Sequence, residues 1–252
     1  MRAAAVEIAL ERSKLSRRSS KSPGKRAIGG GNWGGREAMD VLASPDGCNC
    51  PKADEEFAYS LRESTTMMSS PARLPFIVIR TARLLLEPIT EGHAEGMFHV
   101  LDDPSLYRFM PSEIPTSRAC LRERYRALSL GVSPDASQLW LNWIVSRLED
   151  RTPIGYVQAT VPLSLVHALM GWTIGRAPQG HGYARESVRA VCGHLLRNGV
   201  AEVRATIDVC NGPSISVAES VGFFRETTAT SEDVLDGVRG TDHHYVLRTL
   251  PS

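Results

Sequence analysis

Apolar positions along this 252-residue chain fall into two regimes that divide near residue 73. From Phe76 onward they alternate or recur at helical spacing. Ile77, Ile79, Leu84 and Leu86 stand at alternate positions and Pro88 stops the run, which predicts a first strand. Thr90 is placed to cap a helix over about 91 to 101. In it Ala94, Met97, Phe98 and Leu101 form the apolar stripe that a sheet covers, flanked by His93 and His99 in solvated or capping roles. Asp103-Pro104 ends that helix, Pro111 and Pro115 mark a loop over 107 to 116, and a further helix is expected at about 117 to 130. Residues 138 to 147 and 153 to 163 read as a hairpin around Asp150-Arg151. The strand holding Met170, Trp172 and Ile174 follows, and Gly171 inside it predicts a bulge. A helix at about 181 to 198 presents Val188, Val191, Cys192, Leu195 and Leu196 on one face and stops at Asn198-Gly199. Val203, Ala205, Ile207 and Val209 alternate as a strand, Pro213 suits the first turn of a helix ending at Gly222, and closing strands are expected around 223 to 230 and 242 to 250.

A strand, a crossover helix and a second strand make a right-handed parallel unit, whose ligand crevice lies at the carboxyl ends of the strands. The turn entering that helix is rich in glycine. Gly180 and Gly182 lack a Cβ, so backbone there can take positive φ or admit a ligand closely, and the first helical N–H groups have no partner within the helix. Such a turn suits a phosphate or pyrophosphate without any Lys at the site. The competing reading is steric, since glycine-rich turns open many helices that bind nothing. The spacing Gln179-x-x-Gly182-x-Ala184 is neither the three-glycine dinucleotide pattern nor a P-loop, because no Gly-Lys-Ser/Thr follows.

That spacing resembles the coenzyme A pyrophosphate signature of the GNAT superfamily of N-acetyltransferases, Gln/Arg-x-x-Gly-x-Gly/Ala. Asn211-Gly212-Pro213-Ser214, followed by Glu219-Ser220-Val221-Gly222-Phe223, is similar to the second half of that superfamily's core. The run Thr81 to Thr90 resembles the opening strand of its Rim branch, whose named members acetylate protein N-termini. The resemblance covers about residues 76 to 250. It implies an α/β (α+β) fold with a central mixed, mostly antiparallel twisted sheet of six or seven strands and about four helices, one βαβ unit forming the acyl-CoA crevice. It also implies that the strand around Trp172 splays from the next, leaving free backbone groups for the pantetheine arm. The residues it places on acetyl-CoA are Trp172, Thr173, Ile174, Gln179, Gly180, His181, Gly182, Tyr183, Ala184, Arg185, Asn211 and Ser214. In this family the 107 to 130 region walls the acceptor pocket, which makes Phe109, Met110 and Tyr125 substrate-side candidates, against a bland alternative of ordinary packing.

The implied reaction is direct attack of a neutral amine on the thioester in a ternary complex. No protein nucleophile is needed, and a backbone N–H near Trp172 to Ile174 would stabilise the oxyanion. Many members protonate the departing thiolate with a Tyr on the helix after the Asn, but Ala218 occupies that place here. Ser214, three residues after the Asn as in the Rim branch, is instead the candidate for hydrogen bonding to the CoA sulfur. Its competing reading is a helix-capping or first-turn serine. For the base, Glu232 and Asp233 stand where the Rim branch places a carboxylate, with Glu87, His243 and His244 as further candidates and solvated surface as the alternative. The acceptor is a protein N-terminus or a small-molecule amine. A catalytically silent acyl-CoA binding or regulatory module is the rival function, because the cradle is present while the Tyr position is Ala.

Composition narrows the partners. A formal charge of +1 argues against binding nucleic acid through bulk electrostatics, and no stretch of 18 or more apolar residues predicts a membrane span. The expected partners are acetyl-CoA and an amine, the expected state is monomer or homodimer, and no metal is expected. Cys48, Cys50, Cys120, Cys192 and Cys210 are odd in number and lack the C-x-x-C spacing, which fits a reducing, cytoplasmic setting and neither a disulfide framework nor a zinc site. Residues 1 to 72, rich in Ser, Gly, Arg and Lys, bury too little apolar surface to offset ordering costs of roughly 1 to 2 kcal/mol per residue and are expected to form a mostly disordered extension to a domain over 73 to 252. A transit peptide, a basic interaction tail, or a working start near Met67 or Met68 are the other readings of that segment.

Overall fold

The computed structural model describes residues 74–110, 112, 114–235 and 238–251, the side chains of 231–239 excepted. The extension expected at 1 to 72 lies outside them. Eight strands form one sheet: β1 (Ile79–Arg80), β2 (Leu84–Pro88), β3 (Gln138–Arg147), β4 (Pro153–Pro162), β5 (Ala168–Ile174), β6 (Val203–Asp208), β7 (Phe224–Leu235) and β8 (Val238–Leu247). Their order is β1-β2-β3-β4-β5-β6-β8-β7, antiparallel throughout except where β5 meets β6. Four α-helices accompany them, α1 (Ala94–Leu101), α2 (Arg118–Leu128), α3 (Tyr183–Arg197) and α4 (Gly212–Val221).

The expected six or seven strands become eight because the first run is two strands. The Thr81 side chain accepts from Leu84 N at 2.9 Å while Thr81 N donates to Leu84 O at 3.0 Å, which closes a tight turn and folds β1 back on β2. The helix expected over 91 to 101 starts as a single 3₁₀ turn, Glu91–His93, before α1. There Thr90 N donates to His93 Nδ1 at 3.0 Å, so His93 does cap. His99 instead meets the Arg118 guanidinium of α2 at 2.8 Å.

Alternation along the long strands sends successive side chains to opposite faces. On one face Trp143, Val145, Val157, Met170, Trp172 and Ile207 pack against α3 and α4, with Val188, Val191, Cys192 and Leu195 of α3 meeting them as the helical stripe predicts. On the other, Ile144 and Tyr156 meet α1 and α2 through Met97, Leu101, Leu121 and Tyr125. Each fully buried Val, Leu, Ile or Met of these layers stabilises the fold by about 1.5–3 kcal/mol. The two layers hold β4 and β5 together at one point that tolerates no side chain. A Cβ at Gly155 would stand 2.1 Å from Thr173 O and 2.9 Å from the Ile174 Cα.

The bulge expected at Gly171 is absent from the β4–β5 ladder. Gly171 pairs in register with Gln158, within an unshifted run from Gly155↔Ile174 to Thr160↔Leu169. Register shifts fall instead at Val145/Ser146 and in β7. β5 leaves β6 by diverging from it, with its ladder to β4 intact, so no extra residue is required.

Candidate active site

The parallel pair β5–β6 joins only through Ala168↔Val203 and Leu169↔Arg204. Beyond these residues β5 runs on to Ile174 and β6 to Asp208 without pairing to each other, so a V opens at their carboxyl ends. The backbone of Trp172 and Thr173 pairs with β4 on one edge and faces the V on the other. The Trp172 side chain is buried in the core, Ile174 is also core, and Thr173 Oγ1 reaches Met110 Sδ at 3.7 Å. The polar capacity these three residues offer a ligand is therefore backbone.

The glycine-rich turn occupies one lip of the V. Gln179 Nε2 donates to Ile174 O at 2.9 Å, which folds the turn back onto the end of β5. Gly180 and Gly182 take φ of +81° and +76°, and Gly182 is the N-cap of α3. No atom lies within 4 Å of where a Gly180 Cβ would stand. Glu186 N donates to Gly182 O as the first bond of the helix, leaving the amides of Tyr183, Ala184 and Arg185 ahead of it without intrahelical acceptors. His181 lies stacked on Tyr183, ring centroids 5.8 Å apart, with its Nδ1 2.9 Å from Gln179 O, and Arg185 is exposed.

This lip is held from a distance by the β1–β2 turn. Arg83 donates through Nε to Glu186 Oε2 at 2.7 Å and through Nη1 to His181 O at 2.9 Å, and its guanidinium lies 4.8 Å over the Tyr183 ring. Thr81 Oγ1 and Arg83 N both donate to Glu186 Oε1. Partial burial alone would raise the Glu186 carboxyl, yet these hydrogen bonds and the Arg83 charge outweigh it and hold the group below its usual range. Sequence reasoning missed this clamp, whose partners stand more than 100 residues apart.

The opposite lip is the start of α4. Asn211 is its N-cap, 1% exposed, and its Oδ1 accepts from Ser214 N at 3.3 Å, with Pro213 in the first turn. Ser214 is 3% exposed. Asn211 Nδ2 is buried with no hydrogen-bond partner. Ala218, in place of the family's Tyr, belongs to the main core.

Across the sheet a pocket of about 480 Å³, counting its open mouth, lies between α2 and the faces of β3 and β4. Met110 and Tyr125 line it and Phe109 does not; the latter lies under the Arg108 guanidinium at 5.0 Å. Burial pushes the phenols of Tyr107 and Tyr125 well above their ordinary value, so both remain protonated. Tyr107 donates to Leu101 O at 2.8 Å. Among the candidate bases whose side chains are described, none lines this pocket. His243 bonds Thr228 on β7, His244 lies 3.3 Å from Thr206 on β6, and the Glu87 charge acts on His93. Glu232 and Asp233 are on β7, in a hairpin that overhangs the carboxyl end of β6, since β8 pairs Asp242 with the last β6 residue, Asp208. Their side chains lie outside the described ones. Cys192 is buried, its thiol pushed up by that burial and directed at Met170 Sδ, 3.6 Å away, which leaves it inert.

The model of the acetyltransferase (GNAT) domain matches residues 83–224. The chain belongs to the GNAT family. It is an acyltransferase of the kind that moves acetyl groups from acetyl-CoA. Solved structures with the same fold include a GNAT-family acetyltransferase from Bacillus anthracis (17% identity, TM-score 0.59, covering 68% of this chain and 98% of that one). RimL, a ribosomal α-N-protein acetyltransferase in complex with coenzyme A, aligns at 18% identity and TM-score 0.60, over 68% of this chain and 97% of its own. A microcin self-immunity acetyltransferase in complex with acetyl-CoA and AMP aligns at 15% identity and TM-score 0.58, over 67% of this chain and 94% of its own. No curated protein matches the sequence.

The residues present fit the family's cosubstrate. An orphaned, buried amide donor at Asn211 calls for a carbonyl acceptor such as the pantetheine arm carries, and the open space at Gly180 beside three uncapped amides suits a diphosphate. Among the described residues no group of three or more His, Cys, Asp or Glu is placed to hold a metal ion, and no helix is long and apolar enough to cross a membrane.

Proposed function

We propose that this chain acetylates a primary amine from acetyl-CoA by direct attack in a ternary complex, with the cofactor strung through the V. The observation that carries the reading is the divergence of β5 from β6, with the glycine-rich turn on one lip and the Asn211-capped helix on the other. In this reading the amides of about 180 to 185 hold the diphosphate, and Asn211 Nδ2 donates to the pantetheine arm. A free backbone N–H of Trp172 to Ile174 stabilises the oxyanion as the amine nitrogen bonds to the acyl carbon. The C–S bond then breaks with the Ser214 hydroxyl hydrogen-bonded to the departing thiolate, and the amine proton passes to Glu232, Asp233 or water. Most of the acceleration comes from holding two reactants in line. The opening run Thr81 to Thr90 and a serine in place of the usual Tyr favour the Rim-type branch, and the cysteine pattern favours the cytoplasm.

A CoA thiol-release assay against amines and N-terminal peptides, beside acetyl-CoA calorimetry, tests the proposal. Saturable binding with turnover on at least one amine is expected. Binding without turnover on any would favour the silent acyl-CoA module that Ala218 makes the second reading, and absence of binding would overturn both.

A further inference from the structure

The acceptor pocket has a chemical bias of its own. One face of α2 supplies Leu121, Arg124, Tyr125 and Leu128, at helical spacing, while Asn142 of β3 and Gln158 of β4 form part of its floor. Tyr156 and Gln158 pair across the ladder with Thr173 and Gly171, on the part of β5 that faces the V on its other edge. The β4 part of the floor is thus one strand spacing, about 4.8 Å, from β5, on whose far edge the acyl carbon is proposed to lie.

Arg124 is the one charged side chain lining this pocket among the described residues. Three acidic groups of the helical layer are committed elsewhere, while Asp102, whose charge acts on Tyr107, is exposed to solvent. Glu91 and Glu123 both pair with Arg126, at 2.9 and 3.1 Å, and Glu95 pairs with Arg118 at 2.9 Å. No ion pair is found for Arg124 among the described residues. Its charge reaches the buried phenols of Tyr107 and Tyr125, where it opposes the effect of burial. The rest of the lining is apolar or neutral. A half-buried guanidinium in such a setting is matched by a planar anion, which it can hold with two parallel hydrogen bonds.

We infer that the amine acceptor carries its own anionic group, a carboxylate or phosphate, which Arg124 holds while the apolar walls take the body of the molecule and the amine faces the V. This rests on the acetyltransferase reading and narrows its substrate class. Free amino acids and N-termini with an acidic first side chain share the required chemistry, and polyamines lack it.

The experiment uses the full chain and Arg124→Gln and Arg124→Lys variants, each first titrated with acetyl-CoA. L-Phenylalanine is then compared with L-phenylalaninamide, and a peptide beginning with Asp with one beginning with Asn, beside spermidine. Binding to CoA-saturated protein is measured by calorimetry, and turnover is expressed per unprotonated amine. The inference predicts that wild type favours the anionic member of a pair by about 10- to 100-fold. Arg124→Gln should abolish that preference by raising KM for the anionic amine, with KM for the neutral one and acetyl-CoA affinity unchanged, and Arg124→Lys should restore part of it. The amino-acid and peptide arms tell which source of carboxylate is used. Equal handling of charged and neutral partners by wild type, a preference for spermidine, or a variant that weakens both members alike would overturn it. Loss of acetyl-CoA binding by wild type would sink the acetyltransferase reading instead, which separates the two failures.

Discussion

The two halves of the proposed active site are made of different material. The cofactor lip is backbone: amides ahead of Glu186, left-handed Gly180 and Gly182, the open edge of β5, with side chains such as Arg83 and Gln179 acting as braces. The acceptor pocket is side chain: three tyrosines, Met110, Arg124 and aliphatic walls drawn from α1, α2, β3, β4 and the loop between the helices. A backbone site constrains only a few residue types, chiefly glycine, and binds what every member of a family binds. A side-chain site can be rebuilt residue by residue, and there specificity resides.

Perturbing one half should therefore leave the other's ligand untouched. The largest effect is expected at Gly182, whose φ of +76° is strained for a β-branched residue. Gly182→Val should raise the acetyl-CoA Kd by about 5- to 100-fold through about 1–3 kcal/mol of strain, read by calorimetry. Second is Ser214→Ala. A thiol with a pKa near 8.5 leaves tolerably without help, so kcat should fall by only about tenfold while the acetyl-CoA Kd holds. Full turnover at saturating acetyl-CoA would show that Ser214 does not assist the departing thiolate. Third, Arg83→Ala cuts the brace to Glu186 and His181. After allowing for solvent screening of a side chain 50% exposed, about 1 kcal/mol is at stake, a several-fold rise in the acetyl-CoA Kd with amine KM unchanged.

The smallest effect is one of pH. Because the folded protein holds the Glu186 carboxyl below its unfolded value near 4.5, the brace contributes its full stability above that value. The contribution fades as pH falls through the lower, folded pKa. Thermal midpoints of wild type and Glu186→Gln should differ most near neutral pH and converge as pH falls through the folded value. A gap that stayed constant with pH would show that the ionised carboxylate is not what stabilises.

The same division explains what could be read from the chain alone. The hairpin of β3 and β4, the α3 stripe, Pro213 in the first turn of α4 and the Gly222 stop were legible because alternation, helical spacing and turn chemistry are local. The break at Thr81 was not, since it depends on one hydroxyl closing a turn inside an apolar run. Gly171 misled because a glycine within a strand marks several backbone events, and divergence from a neighbour leaves no extra residue to count. On the candidate site, Gln179 to Arg185 and Asn211 were named from the resemblance of two short local motifs, and the structure sets them on the two lips of the V. The Arg83–Glu186 brace and the convergence of Arg124 with Tyr107 and Tyr156 come from segments far apart in sequence, and no local signal announces them.

The central claim, that uncapped amides and positive-φ glycines grip a diphosphate, is tested most directly by titrating the wild-type chain with acetyl-CoA and with S-acetylpantetheine, which lacks the diphosphate and the phosphorylated adenosine beyond it. The account predicts that acetyl-CoA binds at least about tenfold more tightly and that Gly182→Val erases most of the difference. Equal affinity for the two thioesters would contradict it.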